Sequence, residues 1–305
     1  MKRVFTVLAL LIVVLLAAGG WYVYSKQPTR QGQVELRNLQ GSVTVRYDER
    51  GVPHIRAENE TDLYRALGYV HAQDRLFQME AMRRLARGEL AEVLGPKLLD
   101  TDKLFRSLRI RERAASYVAG LDKQSPAWKA LQAYLDGINQ YQDSHAAPIE
   151  FDVLGIPKRP FTAEDSISVA GYMAYSFAAA FRTEPLLTYV RDQLGADYLN
   201  VFDLDWQPKG VLAKGHASSV PTLAAEDWKD LNTLARVSQQ ALIDNGLPQF
   251  EGSNAWVIAG SHSKSAKPLL AGDPHIRFSV PSVWYEAQLS APGFELADRK
   301  PDNKS

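Results

Sequence analysis

Gly252-Ser253-Asn254 stands at the head of a short apolar run, Ala255 to Ile258, with a polar, irregular stretch before it. A serine hydroxyl is a weak nucleophile unless a base takes its proton. No histidine–carboxylate pair lies beside Ser253 in the sequence to do so. One base needs no second side chain: the α-amino group of Ser253 itself, once the Gly252–Ser253 bond is cut. Its ordinary pKa, about 8, suits a general base at neutral pH. Serine can make that cut by attacking the Gly252 carbonyl and shifting the acyl group from nitrogen to oxygen. Gly252 has no Cβ and so permits close approach and a strained backbone. The competing reading is an ordinary serine at a strand entry.

Other chemistries are excluded by composition and motif. The chain has no cysteine, which removes a disulfide scaffold, a thiolate zinc site and a cysteine nucleophile. Lys+Arg and Asp+Glu are both 35, and zero formal charge argues against nucleic acid as a partner. There is no G-x-S-x-G, H-E-x-x-H or complete P-loop; Gly210 to Gly215 has the P-loop glycine spacing without its Lys-Ser/Thr.

The elements that must position Ser253 follow from periodicity. Val43, Val45 and Tyr47 alternate before a polar turn and a second short run, which predicts a β-hairpin. Leu63, Leu67, Val70, Phe77 and Met82 fall at helical spacing, with Thr61 as a cap and Arg83, Arg84 and Arg87 as a solvated face. Ser125-Pro126 opens a helix lined by Trp128, Leu131, Leu135 and Ile138. Thr162 and Asp165 read as a capping-box-like pair before a small-residue helix that packs closely. Residues 206–252 read as a spacer with one weak helical stretch near 225–243, and β texture follows Ser253. Lys2 and Arg3 precede the uncharged segment Val4–Tyr24, long enough to span a membrane. Ala17-Ala18-Gly19-Gly20 supplies small residues for signal cleavage, so signal peptide and anchor both stand.

"GSNAWVIAGSHSKSAKPLLAGDPHI" resembles the start of the second chain in the penicillin acylase family, the N-terminal-nucleophile amidohydrolases. "GVPHIRAENETDLYRALGYVHAQDRLFQMEAMRRLARGELAEVLG" looks like that family's first-chain opening. The resemblance implies an α+β chain of the αββα sandwich type. Residues 1–26 would be a signal peptide or membrane anchor and 27–206 a mostly helical first-chain region with an N-terminal hairpin. Residues 207–252 would be a spacer removed on processing, and 253–305 the start of a second chain.

Ser253 would be the nucleophile, formed by cleavage between Gly252 and Ser253. His275, 22 positions on (275 − 253), would sit beside it and help build the oxyanion site. Met173, Phe177 and Ile276 would line the acyl pocket, and Glu184 would bind a structural calcium most of whose ligands lie beyond residue 305. No organic cofactor is implied. The implied activity is hydrolysis of N-acyl small molecules, such as β-lactam side-chain amides or acyl-homoserine lactones, in the periplasm or at the inner membrane. The family's second chain is much longer than the 53 residues from Ser253 to Ser305 (305 − 252), so the sandwich is expected to be incomplete and its own second-chain remainder a partner. Trp256, Ile258, Leu269, Leu270, Trp284 and Tyr285 would then lack a sheet to pack against. The alternative is a non-catalytic, membrane-attached remnant that binds acyl ligands or partners.

Overall fold

The computed structural model describes residues 2–177, 187, 189–195, 198, 225–244, 250–276 and 278–296. In order, its elements are helix α1 (Lys2–Ser25), strands β1 (Val43–Tyr47) and β2 (Pro53–Ala57), and helices α2 (Glu60–Arg87), α3 (Ala91–Leu94), α4 (Leu99–Ser107), α5 (Ile110–Gly120), α6 (Pro126–Ser144), α7 (Ile149–Leu154) and α8 (Ala163–Phe177). Then come α9 (Ala225–Asp244), β3 (Phe250–Ile258), β4 (Leu269–Ile276), β5 (Gln288–Ala291) and β6 (Phe294–Leu296). Helices and strands are both present, as an α+β chain requires. Two compact units form, one from Met1–Arg84, Arg111–Val169 and Pro281–Ser305, the other from Leu85–Ile110 and Ala170–Val280.

In the first unit the predicted hairpin forms, with Val45 opposite Ile55, and β5 adds to β2 in parallel to give the order β1-β2-β5-β6. Asn59, not Thr61, caps α2: its side-chain oxygen accepts from the Asp62 N–H at 2.8 Å. Both residues can cap, and the one nearer the strand won. Ser125 caps α6 by accepting from the Trp128 N–H, and Thr162 and Asp165 exchange backbone bonds as a capping box. Leu63, Val70, Leu76, Leu135 and Ile138 are buried in the core.

Arg83 and Arg84 overturn the solvated-face expectation. Both are buried, paired to the buried Glu80 at 2.5 and 2.6 Å. Helix α2 also contains a kink at Arg75 (φ −139°, ψ 15°).

Helices α2 and α6 touch backbone to backbone. A Cβ on Gly68 would lie 1.9 Å from the Tyr134 carbonyl oxygen, and one on Gly137 would lie 1.9 Å from that of Arg65. Gly137→Ala therefore has to push the helices apart. Overpacking of this kind costs roughly 1–3 kcal/mol, against about 1 kcal/mol gained from alanine's helix propensity. A lowered thermal midpoint is expected; an unchanged or raised one would show that the crossing can relax.

The crossing also half-buries His71. Its Nδ1 lies 2.5 Å from the Tyr134 hydroxyl, and its ring stacks on Tyr285 with centroids 4.4 Å apart. Burial, then the nearby Arg75 charge, pull its pKa from 6.5 to about 4. The neutral ring is favoured in the fold, so its stabilisation is complete above pH 6.5 and is lost as pH falls toward 4. The gap corresponds to roughly 3 kcal/mol. Urea midpoints should fall between pH 7 and 4.5, with the His71 imidazole resonance still that of a neutral ring at pH 5. A ring already charged at pH 6 would refute this.

In the second unit, Tyr172 and Tyr175 of α8 pack on Phe105 of α4, with centroids 5.5 and 5.3 Å away. A Cβ on Gly171 would meet Ile110 at 2.8 Å, the close packing expected of the small-residue helix. Helix α9 packs on α4, so the weak helical stretch near 225–243 is a full 20-residue helix.

Candidate active site

Strands β3 and β4 form a two-stranded antiparallel ribbon that pairs Gly252 with His275, Ser253 with Pro274 and Asn254 with Asp273. The register shifts between Phe250 and Gly252, one residue before the Gly252–Ser253 bond. Such a bulge bends the strand and re-aims its side chains. The Gly252–Ser253 bond itself runs inside the continuous strand β3.

Opposed residues in a ladder share a face, and successive residues alternate. The register thus gathers Asn254, Asp273 and His275 on one face. Ser253 lies on the other, with Ala255 and Gly272. Ser253 and His275 are neighbours along the ribbon, but in the uncut strand their side chains leave from opposite faces. The His275 ring is held instead by Asp273, whose Oδ2 is 2.9 Å from Nε2, with Asn254 Nδ2 at 3.5 Å. Both Asp273 and His275 are exposed, so this pair orients the ring more than it stabilises the fold. Asp273 and Asn254 were not among the sequence candidates. The i, i+2 spacing of Asp273 and His275 in a strand was their one available signal.

Ser253 is solvent-exposed. Ile276 ends β4, half-buried and paired with Phe250. Met173 and Phe177 lie four apart on the exposed side of α8, whose other side packs through Tyr172 on Phe105. They are an apolar pair of the sort that can line a pocket. Glu184 lies outside the described residues. Among the described residues, no three His, Asp or Glu side chains cluster as a metal site would require.

Trp256, Val257, Ile258, Leu269 and Leu270 are all exposed on the ribbon, and Tyr285 was expected to share that exposure. Tyr285 departs from that expectation. In the first unit its hydroxyl donates to Asp74 Oδ2 at 2.9 Å and lies 3.3 Å from the Val70 carbonyl oxygen. Burial and the Asp74 charge push its phenol pKa well up. Tyr285 and Trp284 line a cleft of about 650 Å³ in that unit, together with Asp74, Arg75, Arg30 and Arg50. Tyr47 accepts a hydrogen bond from Gln73, which lines the cleft, and burial and then the Asp74 charge raise its phenol to about 12.

The model of the family described as penicillin amidase matches residues 42–297, a span that includes both α2 and the ribbon. The chain belongs to the penicillin amidase family. This penicillin amidase family member is 32% identical over 276 residues to "Penicillin acylase 2 proenzyme" of Pseudomonas sp. (strain SE83), covering 88% of this chain and 34% of that protein. It is 29% identical over 286 residues to "Acyl-homoserine lactone acylase QuiP" of Pseudomonas aeruginosa, covering 90% of this chain and 32% of that protein. A solved thermostable penicillin G acylase from Alcaligenes faecalis aligns at 28% identity and a TM-score of 0.45, over 61% of this chain and all of that one. The chain spans about a third of the length of the curated relatives it matches.

Proposed function

We propose that the protein is an exported, self-processing amide hydrolase that uses Ser253 as an N-terminal nucleophile. The observation that carries this reading is the exposed Ser253 directly after Gly252, inside the segment matched to the penicillin amidase family. Ser253 Oγ attacks the Gly252 carbonyl carbon, and the C–N bond breaks as the Ser253 nitrogen takes a proton. Water then hydrolyses the ester, leaving a Gly252 carboxylate and a free Ser253 amine. Cutting releases Ser253 from the strand upstream and lets its side chain turn toward the His275 face. The freed amine then serves as base while Oγ attacks a substrate amide; an amine leaves, and water releases the acid from the acyl-enzyme. His275, held by Asp273, would orient the nucleophile and the developing oxyanion.

The substrate class is an N-acylated small molecule, a β-lactam side-chain amide or an acyl-homoserine lactone, after the names the relatives carry. Met173, Phe177 and Ile276 would meet the acyl group. The ribbon would form part of an αββα sandwich, with residues 207–252 as the released spacer and Glu184 as a calcium ligand. The apolar α1 supports export to the periplasm or the inner membrane.

The test is protein sequencing combined with release of nitroaniline from an N-acyl-4-nitroanilide. A new N-terminus at Ser253 together with hydrolysis is expected. A cut elsewhere would overturn the reading. A second reading, a non-catalytic membrane-attached binder of acyl ligands, draws on the uncovered apolar ribbon. It would show acyl-ligand binding with neither cut nor hydrolysis.

A further inference from the structure

Helix α1 is built into the first unit at one end only. Tyr22 donates its hydroxyl to Asp152 Oδ2 at 2.5 Å, and Lys26 Nζ donates to the same oxygen at 2.6 Å and to the Ala147 carbonyl at 2.8 Å. The Lys26 ammonium also lies 5.1 Å from the Tyr22 ring centroid. The Lys26 hydrogen bond, followed by that of Tyr22, holds the Asp152 carboxyl below its ordinary pKa. Beyond this latch the described part of the helix is exposed: Val4–Ser25 is long and apolar enough to cross a membrane, and none of its apolar window is buried in the protein.

Three further features lie at the latched end. Trp21 and Tyr24 are 72% and 73% exposed, and aromatic side chains at the end of an apolar span mark the membrane–water interface. Helix α7, which supplies Asp152, turns Phe151 into the core but leaves Val153 76% exposed and Ile149 exposed four residues earlier. At that spacing the two share one side of the helix. The small residues Ala17 to Gly20 lie inside the continuous helix, close to the latched Tyr22.

We propose that α1 is a retained membrane anchor docked through Tyr22 and Lys26 onto Asp152, and that Ile149 and Val153 of α7 rest in the lipid interface beside it. The occupant of this surface is a bilayer. The anchor already commits the Tyr22–Lys26 turn to the membrane boundary, and the apolar side of α7 continues from the residue that receives the turn. This rests on the export reading but not on catalysis.

Because the chain has no cysteine, Val153→Cys gives a single labelling site. The full chain, in a Ser253→Ala background so that processing plays no part, is labelled there with an environment-sensitive fluorophore. It is then placed in phosphatidylcholine–phosphatidylglycerol vesicles. The emission should be blue-shifted, quenched by nitroxide-bearing lipids and shielded from iodide. Adding Asp152→Ala should reduce lipid quenching several-fold while the chain stays in the membrane. A Val153→Cys label that iodide reaches and lipid nitroxides do not, on an intact membrane-bound chain, would overturn the docking. Undiminished quenching with Asp152→Ala would overturn the latch. Mass spectrometry of expressed protein lacking residues 1–20 would overturn retention of the anchor.

Discussion

Ser253→Ala is expected to accumulate as one uncut chain with no detectable hydrolysis of an acyl-anilide. Two losses coincide. Without Oγ nothing attacks the Gly252 carbonyl, so the α-amine that would serve as base is never made. Even a chain cut by other means would lack the group that attacks substrate. Removing a nucleophilic serine costs on the order of 10⁶ in turnover, far beyond the 10²–10³ typical of one oxyanion donor. Ser253→Cys separates the steps. Thiolate attacks well and supports partial processing, but a site shaped for oxygen turns over poorly. Intact-mass and N-terminal sequencing decide the matter. Cleavage at the Gly252–Ser253 bond in Ser253→Ala would mean that another residue makes the cut.

The hairpin Val43–Tyr47 with Pro53–Ala57, the Ser125 cap and the Thr162–Asp165 box were legible in the sequence because their partners are near one another along the chain. The role of Ser253 was not legible in that way: the local residues also fit an ordinary serine at a strand entry, and only the longer resemblance points to a nucleophile. What stayed hidden depends on register or on distant partners. The grouping of Asn254 with Asp273 and His275 on one face requires the ribbon's pairing register. That register is not written in composition, and a slip by one residue would reverse every side chain. Tyr285 reads as a sheet-facing apolar residue beside Trp284, but its partners Asp74 and Val70 lie 211 and 215 positions away. Burial of an arginine is hidden for a related reason: hydropathy assigns charge to the surface, and only the fold brings the counter-charges and carbonyls that make burial tolerable.

Arg83→Ala is accordingly expected to be among the most damaging substitutions in the first unit. Arg83 and Glu80 are both fully buried. The guanidinium donates to Glu80 at 2.5 Å, to the Pro160 and Arg159 carbonyls at 3.0 and 2.9 Å, and to Asp165 at 3.3 Å. It also lies 3.9 Å from the centre of the Phe161 ring. Burial lowers the Arg83 pKa while Glu80 and Asp165 oppose that, so the ion is held by its partners rather than by water. Alanine leaves Glu80 with Arg84 alone, strips two carbonyls of a donor and opens a cavity under Phe161. Breaking one side of a buried pair costs roughly 3–5 kcal/mol, a large part of the 5–15 kcal/mol that holds a typical domain together. Arg113→Ala, at an exposed position on α5, should change stability by no more than about 0.5 kcal/mol. Urea midpoints of the two variants measured side by side test the contrast. Equal, small shifts would mean that Arg83 is solvated after all and that the cluster of Glu80, Arg84 and Asp165 does not hold the fold.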